Sequence, residues 1–392
     1  MKEGWEYKKL GEVCKIYNGN SINADYKKEH FLGATGGLPF IATKDVSPLG
    51  TIDYNNGVRI PNYEEYKVAP ANSVFICAEG GSAGKKFAYV EKDVCFGNKL
   101  FCITPKDKAI KGKFIYHFVQ SDNFRGQFFS LLTGLIGGVS AKKFQTIEIS
   151  IPPLSEQQSI VDYLDSSFAK IDAMKANAEK SLNEAKALFQ ASLKEMLEPK
   201  EGWEEDILSN CCIKAKNIKW EKDTPSHKYI DLSSVDRETS KILNTIIVSP
   251  KDAPSRAKQI VIKGDIIFAT TRPTLRRVAL ISEKFDGEIC STGFCVLRPK
   301  KHIISKWIFY LLKADKFYNY IEPLQSGANY PAVTDSAVKG YVIPMPPINE
   351  QHNIVTTLDS LKSKVDRLQE NFNKISQECD ALKQAILRQV FE

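Results

Sequence analysis

The sequence has no Cys-x-x-Cys pair, and its five histidines are scattered, so zinc-finger spacing and dithiol redox chemistry are excluded. The nine cysteines (14, 77, 95, 102, 211, 212, 290, 295 and 379) are expected to be buried thiols of a reducing, cytoplasmic protein. The opening Met1-Lys2-Glu3-Gly4-Trp5-Glu6 is too charged for a secretory signal. The longest uncharged run, Gly126 to Ala141, is too short and too rich in Gly, Ser and Thr to cross a bilayer, so no membrane contact is expected. Excess charge of one sign is also scarce, 54 Lys and Arg against 47 Asp and Glu. What is present is 392 residues with a 43% apolar fraction, enough for about two domains with packed cores.

Those residues repeat. Lys2-Glu3-Gly4-Trp5-Glu6 returns as Lys200-Glu201-Gly202-Trp203-Glu204. Pro152-Pro153-Leu154-Ser155-Glu156-Gln157-Gln158, followed by Ile160-Val161 and Leu164-Asp165, returns as Pro346-Pro347-Ile348-Asn349-Glu350-Gln351-His352, then Ile354-Val355 and Leu358-Asp359. Between them Ser73 to Ala78 answers Asp265 to Thr270, and Thr133-Gly134 answers Ser326-Gly327. Four matches in one order, roughly 195 residues apart, define a tandem duplication of a whole structural unit.

The first part of each unit is α+β. Short β-branched and aromatic runs bounded by Gly, Pro, Asn and Asp predict strands at 73–77, 87–90, 100–104, 259–262, 265–270, 278–281 and 294–297. Helices are expected at Lys113 to Ser121 and Ser305 to Tyr320. The second part is a long helix. Apolar residues at Ile354, Leu358, Leu361, Val365, Leu368, Phe372, Ile375, Cys379, Leu382 and Ile386 alternate steps of four and three, the seam of a coiled coil. Val161, Leu164, Phe168, Ile171, Met174, Ala178, Leu182, Ala185, Phe189, Leu193 and Met196 repeat it, with Ser155 and Asn349 as expected caps and Pro199 closing the first helix. Each helix would reach about 60 Å. The fold expected is a tandem duplication of a β-rich domain plus a long helix. The two helices would pair as an antiparallel coiled-coil spacer with pseudo-twofold symmetry.

The domains expected are 1–150, with a spacer helix at 151–198, and 199–345, with a second spacer helix at 346–392. Charge separates along these boundaries. Residues 1–150 hold 20 Lys and Arg against 15 Asp and Glu, and 199–345 hold 23 against 17, whereas the helical segments hold 5 against 8 and 6 against 7. Two basic modules on a weakly acidic spacer suit a repeating polyanion. Duplex DNA offers base edges to read and phosphates to set register, and a fixed separation between readers becomes a fixed spacing between half-sites.

The twice-occurring Pro-Pro-[Leu/Ile]-x-Glu-Gln-x-x-Ile-Val motif opening a long helix, after a basic domain that begins near Gly-Trp, resembles the specificity subunits of type I restriction-modification systems. The resemblance covers the full chain. It implies two target-recognition domains reading a bipartite, asymmetric double-stranded DNA site, and helices that dock two adenine-N6 methyltransferase subunits and, through them, two ATP-driven translocase-nuclease subunits. S-adenosylmethionine, ATP and Mg would then bind the partner subunits and no cofactor would bind this chain. The sequence also has no Asn-Pro-Pro-Tyr or Asp-Pro-Pro-Tyr methyltransferase motif and no Pro-Asp dipeptide of the common nuclease core, so the chain is expected to be non-catalytic.

Candidate DNA-contacting residues follow from side-chain chemistry. Asp265 to Arg277 reads as a strand running into a loop with Arg272, Thr274, Arg276 and Arg277, and Arg is shaped for bidentate contact with guanine or phosphate. The matching stretch offers Ser82, Lys85 and Lys86 among glycines that let backbone N–H groups approach phosphate. Lys44 and Ser233 follow equivalent strands. Lys142 and Lys143, answered by Asn329, Tyr330 and Thr334, precede the Pro-Pro motifs. For each of these the alternative is ordinary solvated-loop chemistry. Pro152, Pro153, Glu156 and Gln157, with Pro346, Pro347, Glu350 and Gln351, are assigned to the spacer and its docked partners.

Two further readings compete. Gly80-Gly81-Ser82-Ala83-Gly84 matches a nucleophile-elbow pattern, but that elbow requires a helix after its serine and 85–90 reads as a strand. A stand-alone bivalent DNA-binding protein or a coiled-coil scaffold would show the same charge pattern.

Overall fold

The computed structural model describes residues 4–133 and 137–392. Lys2 and Glu3 of the first repeated motif and Gly134 of Thr133-Gly134 lie outside the described residues. The chain divides into two compact units, residues 1–177 with 374–392, and residues 178–373.

In the first unit, the strand Ser73–Cys77 is buried along its whole length. Successive side chains point to opposite faces. Val74 and Ile76 therefore enter a core with Phe114, Phe118 and Phe144, while Phe75 and Cys77 enter a second core with Phe96 and Val90. This strand is central in an antiparallel sheet of order Cys14–Asn18, Leu100–Pro105, Ser73–Cys77, Phe87–Val90. A second sheet runs Arg59–Ile60, Leu38–Ile41, Val94–Phe96, Val68–Ala69, with its middle pair parallel. The strand Glu6–Lys9 pairs with Glu148–Ile151, bringing the start of the domain to the entrance of its long helix.

The second unit repeats this plan. One antiparallel sheet has the order Cys212–Ile213, Phe294–Pro299, Ile266–Ala269, Val278–Leu280, and the other Ile246–Val248, His227–Ile230, Ile289–Ser291, Ala257–Ile260. Glu204–Ile207 pairs with Val342–Met345. The strand expected at 259–262 lies at Ala257–Ile260, because the Asp265 carboxylate accepts from the Ile262 N–H at 2.9 Å and pulls that end into a turn.

Both short-helix expectations are corrected. The helix expected to run to Ser121 is Gly112–Phe118, and Ser121 instead caps a further helix, Asp122–Ser130, its hydroxyl accepting from the Phe124 N–H at 3.2 Å. The helix expected over 305–320 is broken into Ser305–Leu311 and Asp315–Ile321. Nothing in Leu312-Lys313-Ala314 disfavours helix, so tertiary contact overrides propensity. Lys313 turns to donate to Ser240 Oγ at 2.6 Å, and Ala314 is extended.

The long helices are Leu154–Leu197 and Ile348–Phe391, 44 residues each. Their caps are not Ser155 and Asn349, which lie inside the first turn. The carbonyls of Pro153 and Pro347 accept from the Gln157 and Gln351 N–H groups, each at 3.0 Å. The seam is corrected as well: Met174 and Leu382 are 59% and 48% exposed. A 3.6-residue turn drifts from a 3.5-residue repeat, and Lys175 and Lys383 take the inward step instead. In the first unit the helices run antiparallel, Lys175 meeting Asp380 at 3.3 Å and Lys383 meeting Asp172 at 2.6 Å. In the second, Lys186 donates to Gln369 at 2.8 Å.

Each unit thus combines a β-rich domain, the start of its own helix and the end of the other. Phe391 packs on Phe114 and Phe118 in the first unit, and Phe189 on Tyr310 in the second, beside buried Leu193 and Leu197. Compactness therefore cuts across both spacer segments read from the sequence. Among the described residues no helix is long and apolar enough to cross a membrane.

Candidate nucleic-acid interface

In the second unit, Arg272, Asn329 and Tyr330 meet beyond the end of strand Ile266–Ala269. Arg272 and Arg276 both adopt left-handed backbone, with φ of 50° and 56°, flanking a short turn at Pro273–Leu275. That conformation costs a non-glycine residue roughly 1 kcal/mol, so the surroundings must hold it. The Arg272 N–H donates to the Pro331 carbonyl at 2.7 Å and the Arg276 N–H to that of Pro273 at 2.9 Å. The Arg272 guanidinium lies 4.6 Å from the Tyr330 ring centre and 3.5 Å from the Asn329 carbonyl. Arg272, Asn329 and Tyr330 thereby form one exposed, stacked cluster able to face a base or phosphate.

Arg277 points the other way. It is half-buried, one guanidinium nitrogen donates to the Leu232 carbonyl, and its Nε is buried without a hydrogen-bond partner. Arg277 and Ser233 line one cleft of about 270 Å³ with Arg237, Asn244 and Leu275. The Ser233 hydroxyl donates to the Asp231 carboxylate at 2.7 Å, and bonds from Ser233 and Ser234 hold that carboxyl below its usual range despite its burial. Thr274 is exposed at the tip. Thr334 is a cap, its hydroxyl accepting from the Ala337 N–H at 3.1 Å.

The first unit uses the same connection with different residues. Lys86 donates to the Thr43 carbonyl at 3.0 Å, the counterpart of Arg277 to Leu232. Lys44, next in that turn, is exposed, as are Lys85, Lys142 and Lys143, and Ser82 is half-buried. Gly80 donates to Gly137 and Val139 to Ala78, fastening the segment that leads to Lys142 and Lys143 against the glycine loop. Ser140 caps Ala141–Phe144 as Thr334 caps Asp335–Lys339, so the true counterparts of Lys142 and Lys143 are Ser336 and Ala337. Those of Asn329 and Tyr330 fall at 135 and 136, outside the described residues. The strand Phe87–Val90 follows the glycine loop, so Ser82 is not on a nucleophile elbow.

The repeated motifs join domain to helix. Trp5 Nε1 donates to Glu156 at 3.0 Å and Trp203 Nε1 to Glu350 at 2.9 Å. Gln157 and Gln351 are buried, their amides donating to the Pro152 and Pro346 carbonyls and their oxygens accepting from the Lys111 and Ile304 N–H groups. Pro152 and Pro346 are buried too, leaving Pro153 and Pro347 exposed and Glu156 and Glu350 half-buried.

Two turns on stand Asp165 and Asp359, which repeat in the sequence without a signal of their role. Asp165 accepts from His117 at 2.9 Å and Lys113 at 2.6 Å; Asp359 accepts from Tyr310 at 2.7 Å and Lys306 at 2.5 Å. The His117 bond, aided by Lys113, holds the Asp165 carboxyl down to about 2. Burial raises the cysteine thiols Cys14, Cys95, Cys211 and Cys212 to between about 11 and about 12. Such thiols are unreactive at neutral pH.

Two domains of one plan, each with a cation just ahead of an edge strand fastened to a neighbouring turn, define a duplicated chain. The model of the type I restriction modification DNA specificity domain matches residues 2–184 and again 205–377, and the chain belongs to that family. It is 24% identical to the EcoKI specificity subunit of Escherichia coli strain K12, across all of this chain and 89% of the relative. It is 23% identical to the MjaVIII specificity subunit of Methanocaldococcus jannaschii, across 93% and 88%. Among solved structures, a chain from a study of complex assembly and conformational transition of the type I R-M system aligns with a TM-score of 0.74 at 19% identity, covering 100% of this chain and 98% of that one. The HsdS subunit from Thermoanaerobacter tengcongensis aligns at 0.55 and 20% identity, covering 100% and 97%.

Proposed function

We propose that this chain is the non-catalytic reading subunit of a type I restriction-modification complex. Each basic domain reads one half of a bipartite, asymmetric DNA site. The long helices set the spacing between the halves and dock two adenine-N6 methyltransferase subunits, through which two ATP-dependent translocase-nuclease subunits join. S-adenosylmethionine, ATP and Mg belong to those partners. The observation that carries this reading is the convergence of Arg272, Asn329 and Tyr330 on one exposed face of a family domain present twice.

The test is co-expression with a type I methyltransferase subunit from the same genome. Methylated-base sequencing should reveal one bipartite motif with a fixed gap, and exchanging residues 199–345 for those of a relative should change only one half of it. A chain that binds the same bipartite site without any methyltransferase would instead establish a stand-alone bivalent DNA-binding protein. Absence of any sequence preference with the partner present overturns both.

A further inference from the structure

The second unit contains a cavity of about 360 Å³ that the reading loops do not account for. Lys186, Arg237, Arg276, Lys313 and Lys362 line it, against Glu238 and Asp366, over an apolar floor that includes Phe189, Val365 and Tyr318. Several of these cations are already matched: Lys362 with Asp366, Arg276 with Asp315 at 2.6 Å, Lys186 with Gln369. Lys313 is not. Its ammonium donates to the Ser240 hydroxyl and lies 5.8 Å from the Phe309 ring centre, and among the described residues no carboxylate lies within ion-pair distance. Burial, then the neighbouring Lys362 and Arg276 charges, push its ammonium down to about 8 against the weaker pull of Asp366 and Asp236. The Tyr318 side chain is only 4% exposed, and its buried hydroxyl has no hydrogen-bond partner. Burial also raises that phenol, so it remains a donor at neutral pH. An ammonium without an ion-pair partner, in a cavity that four further cations line against two carboxylates, calls for an anionic acceptor.

The first unit lacks this arrangement. The positions matching Lys313, Lys362 and Arg237 are Gln120, Phe168 and Pro48. The cavity is therefore a property of the second domain and not of the shared plan.

We propose that it is a phosphate site, receiving a phosphodiester of the DNA strand that passes the second recognition domain on the helix side of its half-site. This rests on the DNA-reading function proposed above. Arg276 supplies the continuity, since it belongs both to the reading loop and to the cavity wall. A phosphate contact carries no base information, so the site sets affinity and register while Arg272, Asn329 and Tyr330 discriminate.

Full-length chain, co-purified with its methyltransferase subunits, is titrated with a duplex carrying its site and with a scrambled duplex over roughly 50 to 200 mM salt. For Lys313→Gln, which installs the residue found in the first unit, both duplexes should bind about five- to tenfold more weakly, and the log–log salt slope should fall by about 0.9. Lys313→Arg should keep the wild-type slope. A wild-type slope in Lys313→Gln with an unchanged melting temperature overturns the proposal. Inorganic phosphate is the control for a free anion. If it raises the melting temperature of wild type and not of Lys313→Gln while the DNA slopes coincide, the cavity holds a free anion and the DNA assignment falls. If wild type does not distinguish the two duplexes, the specificity reading fails, yet the slope difference still decides the cavity.

Discussion

The Arg277 guanidinium donates to the Leu232 carbonyl, tying the loop after one central strand to the turn after another. Lys86 does the same to Thr43 at 3.0 Å in the first unit. The sequence presents Arg276 and Arg277 as equivalent DNA-contacting candidates, and the structure separates them. Arg277→Ala strands a carbonyl and should cost about 1 to 3 kcal/mol of stability. Arg276→Ala removes an exposed ion pair and a contact to the Tyr318 ring, about 1 kcal/mol at most, but should weaken DNA binding by roughly 1 to 3 kcal/mol. Urea unfolding beside DNA titration checks the pair, and equal stability losses would refute the division.

Trp203 and Glu350 form the junction between the second domain and its helix, with Lys200 lying over the indole at 5.3 Å and 3.8 Å from the carboxylate. Trp203→Phe keeps most of the packing and deletes the donor, so a loss of about 1 to 2 kcal/mol is expected. A double-mutant cycle with Glu350→Ala should give a coupling of similar size, and additive losses would show that the bond is incidental.

Asp165 makes the first unit sensitive to acid. Its carboxyl is held to about 2, below the roughly 3.9 of an unfolded chain, so its contribution is full above about pH 4 and lost as pH falls toward 2. The side chain is 39% exposed, which discounts the shift to roughly 1 kcal/mol. Asp165→Asn should therefore be less stable than wild type at pH 7, by a gap that narrows steadily between about pH 4 and pH 2. A stability gap as large at pH 2 as at pH 7 would contradict the assignment.

The repeat, the helices and most strands are legible in the sequence because they rest on periodicity and on turn residues. Val74 to Ala78 is apolar throughout and bounded by Ser73 and Glu79, and Ser73–Cys77 is the buried central strand it promises to be. What fails is set by distant contacts. The break at Lys313 needs Ser240, 73 positions away, and the inward step at Lys175 needs Asp380. In the candidate loops, residue type does not give the direction a cation takes: Arg272 faces outward on Tyr330 while Arg277 faces inward on Leu232. The Pro-Pro/Glu-Gln motif looks like a docking signature, yet its glutamines are consumed within the domain-to-helix joint. Arg237 and Lys313 carry a signal that aligning the two halves exposes, opposite Pro48 and Gln120.

The last helical turn supports a domain more than 200 residues earlier in the chain. Phe391 is buried, its ring 5.3 Å from Phe114 and 5.7 Å from Phe118, and its carbonyl accepts from Asn123 at 3.3 Å. Phe391→Ala opens a cavity in the first unit's core and should cost roughly 3 kcal/mol. Because Phe391 belongs to the first unit, the damage should be local. Hydrogen exchange should accelerate in Gly112–Phe118 and Asp122–Ser130 and remain at wild-type rates in Ser305–Leu311. Equal acceleration in the second unit's helices would mean that the two units unfold as one, and the division into compact units would then be geometric without being energetic.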